Sequence, residues 1–274
     1  MIQVIICHAR MKIAISGKGG VGKTVLASLL SSIFTQLGYS VLAIDADPNA
    51  TLAGALGFPH PERITPISEM RNLIEERTGA RPGQAAPFFK LNPRVDDIPE
   101  KYWVEHNGVK LMSMGRLKKG GSGCYCPENA LLEALVAHLL LKREEVVIMD
   151  MEAGIEHLGR ATARAVDKMI IVVEPSKGST ETAYRIRELA KDISLESIAV
   201  VANKIRSEHD RIFLVSSMPD FEFLGFIPYD QSIIEVGLGN LPLTNSSLEV
   251  INRVWDISAR LGAIKLGSVS QPIT

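Results

Sequence analysis

Eight consecutive residues, Gly17-Lys18-Gly19-Gly20-Val21-Gly22-Lys23-Thr24, carry the spacing G-x-x-x-x-G-K-[ST] of a loop that cradles phosphates. Small residues let the backbone bend until successive N–H groups point at one place, and that place binds anions. Lys23 adds a point charge for the β and γ phosphates, and the Thr24 hydroxyl is a ligand for Mg²⁺. Val25, the next residue, joins the same nucleotide-binding set.

Carboxylates and amides recur where such a loop would use them. Asp45-Ala46-Asp47-Pro48 places two acids at i and i+2, suited to a metal shell and a water-positioning base; an Asp-Pro turn is the alternative. Val147-Ile148-Met149-Asp150 is an apolar run closed by an acid, the pattern that holds Mg²⁺, usually through water. Ala153-Gly154 after it lets a backbone N–H approach a γ-phosphate and gives a switch-like hinge. Asn203-Lys204-Ile205-Arg206 departs from the Asn-Lys-x-Asp run of guanine-reading proteins, whose aspartate accepts from two guanine N–H groups. Arg206 disfavours that reading, and an Asn203 amide can pair with adenine instead.

Cys124-Tyr125-Cys126 brings two thiolates within reach of one metal ion. A tetrahedral thiophilic site wants four ligands, and a symmetric dimer supplies the other two. The flexible, cationic run Lys118–Gly123 before them favours thiolates. A pair of inert cysteines is the alternative.

These residues need a scaffold, and the apolar runs describe it. Strands are expected at Lys12–Ser16, Ser40–Asp45, Val109–Met114, Glu145–Asp150, Lys168–Glu174, Ser197–Asn203 and Phe221–Ile227. Several are continuously apolar, as in parallel strands buried on both faces. Helices are expected at Val25–Leu37, Ser68–Thr78, Glu128–Lys142, Ser179–Asp192 and Ser246–Leu261. The alternation predicts one α/β domain, a doubly wound and mainly parallel sheet with helices on both faces. Asp45, Asp150, Glu174 and Asn203 all fall at carboxyl ends of strands, where such sheets bind ligands. Ala80–Asn107 and Gly115–Pro127 break the rhythm as an insertion and a loop. Met112, Met114, Met149 and Met151 alternate within strands and read as core.

Composition bounds the rest. The 274 residues carry 46% apolar side chains, a net charge of −1 and three cysteines. That is enough for one sizeable core, without a disulfide framework or a basic excess for nucleic acid. No run approaches the ~20 apolar residues of a membrane span. The expectation is a cytoplasmic protein, with no nucleic-acid or membrane partner. Residues 1–10 read as a spurious or loose extension, with Met11 as the functional start; 11–262 form the domain and 263–274 a flexible tail.

Lys18 extends the resemblance. Lys-Gly-Gly-Val-Gly-Lys-Thr is similar to the deviant Walker A loop of the group containing MinD, ParA, the nitrogenase iron protein and metal-insertion ATPases. That resemblance implies a P-loop ATPase using ATP/ADP and Mg²⁺. Lys18 would reach across a homodimer to the partner's phosphates, and Asp47 would orient the attacking water. Asp45 would sit nearer the metal, and Pro228-Tyr229-Asp230 would form a second base-side loop. Within the group, Lys118–Cys126 and Met149-Asp150-Met151-Glu152-Ala153-Gly154-Ile155-Glu156-His157-Leu158 resemble the CooC family, which helps insert nickel into carbon monoxide dehydrogenase. This implies one Ni²⁺ or Zn²⁺ held between subunits by Cys124 and Cys126, with carbon monoxide dehydrogenase as client. His157 reads as switch packing. The family often has Gly where Glu152 stands, which bears on the rate of hydrolysis. The alternatives are a positioning ATPase of the MinD/ParA kind, which the non-basic tail disfavours, and an electron carrier like the nitrogenase iron protein, whose cysteines lie far apart.

Overall fold

The computed structural model describes residues 10–81, 88–115, 127–155, 158–233, 243 and 246–262. Cys124, Cys126, His157, the Lys118–Gly123 run, residues 1–9 and the tail 263–274 lie outside the described residues.

Eight strands form one sheet: β1 (Lys12–Ser16), β2 (Val41–Ala46), β3 (Val104–His106), β4 (Val109–Ser113), β5 (Val146–Met151), β6 (Lys168–Val173), β7 (Ile198–Ile205) and β8 (Phe223–Pro228). Their order across the sheet is β3-β4-β2-β5-β1-β6-β7-β8. Every pairing is parallel except β3 with β4. β1, β2 and β5 are buried along their whole length, which is why their sequences are continuously apolar rather than alternating.

The helices are α1 (Lys23–Gln36), α2 (Leu52–Ala55), α3 (Arg71–Thr78), α4 (Ile98–Tyr102), α5 (Pro127–Lys142), α6 (Arg160–Ala163), α7 (Lys177–Asp192), α8 (Glu208–Ser217) and α9 (Leu248–Arg260). Two apolar layers result. On one face α1, α2 and α9 pack Leu26, Leu30, Leu52, Val250 and Ile257 against Ile13, Ala43 and Ile148. On the other, α3, α5, α7 and α8 pack Ile74, Leu135, Ile186 and Leu214 against Ile44, Met112 and Met149. The four strand methionines are at most 1% exposed, as expected of core. The doubly wound, mainly parallel α/β architecture is the one expected.

Three details correct the expectation. Ala80–Asn107 is not wholly irregular: it supplies α4 and the antiparallel edge strand β3. The segment between β7 and β8 forms α8, capped by Ser207, whose hydroxyl accepts the Asp210 N–H. The sixth expected strand continues past Asn203 to Ile205, so Asn203 and Lys204 lie inside β7. Lys204 has φ +59° there, at a shift in the β7–β8 register.

The winding reverses at β1, which lies between β5 and β6. The chain runs from β1 to one side and returns to the other, so the loop after β1 opens at the switch point where such sheets take ligands.

Candidate active site

Two glycines fix the loop after β1. Gly17 has φ +148°, and a Cβ there would overlap the Val172 carbonyl oxygen of β6. Gly22 has φ +99°, and a Cβ there would overlap the Asn203 amide. Gly22 is also the N-cap of α1, so no side chain closes that helix end. The first N–H groups of α1 lack intrahelical acceptors and face an anion site. Lys23 is 6% exposed, with Nζ 3.4 Å from the Lys18 carbonyl at the other side of the loop. The Lys18 side chain is exposed and crosses the first turn of α7, where a Cβ on Gly178 would lie 3.1 Å from its Nζ. Among the described residues no carboxylate or carbonyl takes the Lys18 ammonium.

The acids stand beside this loop. Ser113, Asp45 and Asp150 occupy one row of the sheet, with Asp45 paired to both neighbours. Thr24 Oγ1 donates to Asp150 Oδ2 at 2.6 Å. Asp150 Oδ1 is buried without a hydrogen-bond partner among the described residues. Burial raises the Asp150 carboxyl to about 7 against the Thr24 hydrogen bond, with Asp45 and Asp47 adding to the rise. Asp45, expected nearer the metal than Asp47, spends its oxygens on backbone: Oδ1 accepts the Asp47 N–H at 3.2 Å and Oδ2 the Leu52 N–H at 2.9 Å. Burial still raises it to about 6. Asp47 is half-buried, and its Oδ1 accepts the Asn49 N–H at 2.9 Å. A threonine hydroxyl beside a buried carboxylate with one orphaned oxygen fits Mg²⁺, a hard cation that takes oxygen ligands.

Residues 12–243 match the CobQ/CobB/MinD/ParA nucleotide binding domain. The chain belongs to that family. It is 49% identical to the carbon monoxide dehydrogenase accessory protein CooC of Rhodospirillum rubrum, over 81% of this chain and 85% of that protein. It is 48% identical to an uncharacterized ATP-binding protein of Methanocaldococcus jannaschii, over 92% of this chain and 98% of that one. The MinC:MinD cell division complex of Aquifex aeolicus has the same fold, with TM-score 0.68 at 20% identity, covering 95% of this chain and 98% of that one. The resemblance to the CooC family within the MinD/ParA group is borne out, and the protein is an ATPase of this family.

In this ATPase the P-loop is held from β7. Asn203, 4% exposed, donates from Nδ2 to the Val21 carbonyl at 2.8 Å and accepts the Lys204 N–H at 2.9 Å. Lys204 Nζ donates to the Gly20 carbonyl at 2.7 Å and pairs with Glu174 at 2.8 Å. The Lys204 ammonium therefore grips the phosphate-binding loop itself. Asn203 keeps one N–H free of the loop. Asp230 is likewise engaged internally, accepting the Ser232 N–H at 2.8 Å and the Ser247 hydroxyl; these bonds hold its carboxyl below the usual range. Tyr229, after Pro228, is 41% exposed.

Sequence reasoning missed Ser16 and Thr51 as parts of this site. Ser16 is fully buried and ties β1 to the loop after β5, donating to the carbonyls of Gly154 at 2.7 Å and Glu152 at 3.0 Å. Thr51 Oγ1 lies 3.5 Å from Thr24 Oγ1. Their types are unremarkable in the sequence, and only the strand order brings them to the loop. Among the described residues no cluster of three or more His, Cys, Asp and Glu could hold a metal, and no helix is long and apolar enough to cross a membrane.

Proposed function

We propose that this protein is an ATP-dependent dimeric metallochaperone that takes nickel, or zinc, as cargo at Cys124 and Cys126 of two subunits and assists nickel insertion into carbon monoxide dehydrogenase. The observation that carries this reading is the 49% identity to CooC. The chain's Cys-x-Cys supplies half of a four-thiolate site, and a two-fold dimer completes it.

The nucleotide site supports the ATP-driven part. The α1 N-terminus and Lys23 would bind the phosphates. Thr24 and Asp150 would hold Mg²⁺, which when bound neutralises charge on the β and γ phosphates. Asp47 would position the attacking water. The partner's Lys18 would lie against the transferring phosphoryl group, acting like an arginine finger. Its exposure, with no acceptor among the described residues, suits that role. Ser16 would relay loss of the γ-phosphate to the 152–154 loop, and a loosened interface would release the cargo.

The test is an anaerobic titration of reduced, metal-free protein with Ni²⁺, with light scattering for mass. One nickel per dimer, lost in the Cys124→Ala/Cys126→Ala double variant, is the expected result. Equal binding by the two proteins, or none, would overturn the metal reading and leave the ATPase.

A further inference from the structure

The loop that follows β2 turns back toward the phosphate loop, and one buried acid fixes both of its ends. Asp45, 1% exposed, accepts the Asp47 N–H through Oδ1 and the Leu52 N–H through Oδ2. Between them the Ala50 N–H donates to the Asp47 carbonyl at 3.0 Å. Ala50 holds φ +47°, a left-handed value that a residue with a Cβ rarely takes. The turn delivers Thr51 to the N-cap position of α2. A threonine there ordinarily caps the helix with its hydroxyl, but Thr51 makes no such bond. Its Oγ1 lies 3.5 Å from Thr24 Oγ1 instead. The Thr24 proton is spent on Asp150 Oδ2 at 2.6 Å, and a hydroxyl has one proton to give, so Thr51 is the donor in that contact. The lone pairs of Thr51 Oγ1 meet no donor among the described residues. Both threonines line one cavity of about 470 Å³, which gives a hydrated cation access to the pair.

We propose that Thr51 gives its hydroxyl oxygen to the nucleotide's Mg²⁺, as a second threonine ligand beside Thr24. Mg²⁺ holds its oxygens octahedrally at about 2.0–2.1 Å, so neighbouring ligand oxygens stand about 3 Å apart. The Thr24–Thr51 pair, at 3.5 Å, is within about half an ångström of that spacing. Both oxygens then turn lone pairs to the cation and protons away from it, Thr24 keeping its bond to Asp150. Asp45 cannot take this place, because each of its oxygens already holds a backbone N–H; it is the frame, and Thr51 is the free oxygen that the frame presents. A neutral hydroxyl also adds a ligand without a further negative charge beside the phosphates. The link ties the far end of the loop carrying Asp47 to the cation, so the metal-bound nucleotide sets the position of that acid. The inference rests on the proposed Mg²⁺ place at Thr24 and Asp150 and is independent of the metal cargo.

The experiment follows the cation rather than turnover. Mn²⁺ takes the same oxygen ligands as Mg²⁺, and its electron paramagnetic resonance in ¹⁷O-water counts the waters it keeps. Mn·ADP on the full chain is compared for wild type, Thr51→Val and Thr51→Ser. Thr51→Val should hold one more water than wild type, and Thr51→Ser the same number as wild type. In calorimetry, the gain in ADP affinity on adding Mg²⁺ should fall by about 10-fold in Thr51→Val and be kept in Thr51→Ser. ADP binding without Mg²⁺ should stay within about threefold of wild type in both. Thr51 is exposed and its hydroxyl caps no helix, so the variants should fold; an unchanged thermal midpoint checks this, and Thr51→Ala takes the place of Thr51→Val should the latter fail. An equal water count in wild type and Thr51→Val would overturn the proposal, as would an equal loss of ADP affinity with and without Mg²⁺. A wild type whose ADP affinity ignores Mg²⁺ would remove the Mg²⁺ place at Thr24 and Asp150 itself, and this inference with it.

Discussion

Asp150 carries opposing demands in one side chain. It is fully buried, one oxygen takes the Thr24 hydroxyl, and the other has no partner among the described residues. Asp45 is buried in the same row. Both acids bind their proton more tightly folded than unfolded, holding it up to about 7 and about 6 against an ordinary value of 3.8. Between those limits the folded chain carries more protons, so their contribution to stability falls as pH rises, and it is flat above. Thermal melts of nucleotide-free protein should show the midpoint falling from about pH 5 to about pH 7.5. Asp150→Asn should remove most of that fall, stabilise the chain by about 1–3 kcal/mol at about pH 8, and abolish hydrolysis in a phosphate-release assay. A pH-independent midpoint in wild type would contradict this account. Lys204→Met should weaken ADP binding by about 10- to 100-fold in calorimetry, because charged hydrogen bonds worth about 1.5–3 kcal/mol no longer shape the empty loop.

At the scale of elements, Gly22 is the join between loop, helix and clamp. Gly22→Ala adds a Cβ where the Asn203 amide lies, at a φ that disfavours side chains. It should abolish measurable nucleotide binding in calorimetry while the far-UV spectrum stays that of the wild type. At the opposite end of the sheet, Arg143 donates to Glu145 at 2.6 and 2.9 Å and also pairs with Glu100 of α4, fastening the insertion to the sheet. Burial would raise the Glu145 carboxyl, but Arg143, a backbone hydrogen bond and Lys110 outweigh it and hold it at about 2. The elements that sequence reasoning found are those with strong local signals: the long apolar strands, the P-loop, and Asp45, Asp47 and Asp150 at strand ends. β3 was illegible because its three residues, Val104–His106, are half-exposed and pair only at an edge. α8 escaped because Leu214 is its one buried residue, leaving no periodic stripe to read. The grip of Asn203 and Lys204 on the P-loop spans more than 180 positions and has no local trace. Its residues suggested base contact because type alone says nothing of direction.

For the whole molecule, the proposed dimer turns on Lys18. Lys18 is exposed and has no acceptor among the described residues, lying over the first turn of α7. Lys18→Ala should therefore leave monomer stability within about 0.5 kcal/mol of wild type yet abolish ATP-dependent dimerisation in light scattering; a variant that still dimerises with ATP would remove Lys18 from the interface. The sheet order that sets β5 beside both β1 and β2 lines up Asp45 and Asp150 under the phosphate loop, and there it makes the pair of acids a proton store. A divalent cation entering beside Asp150 must expel what the carboxyl holds. Loading with Mg·nucleotide near pH 6.5 should then release acid into the medium, up to about one proton per site. The measured heat of binding would change with the ionisation enthalpy of the buffer.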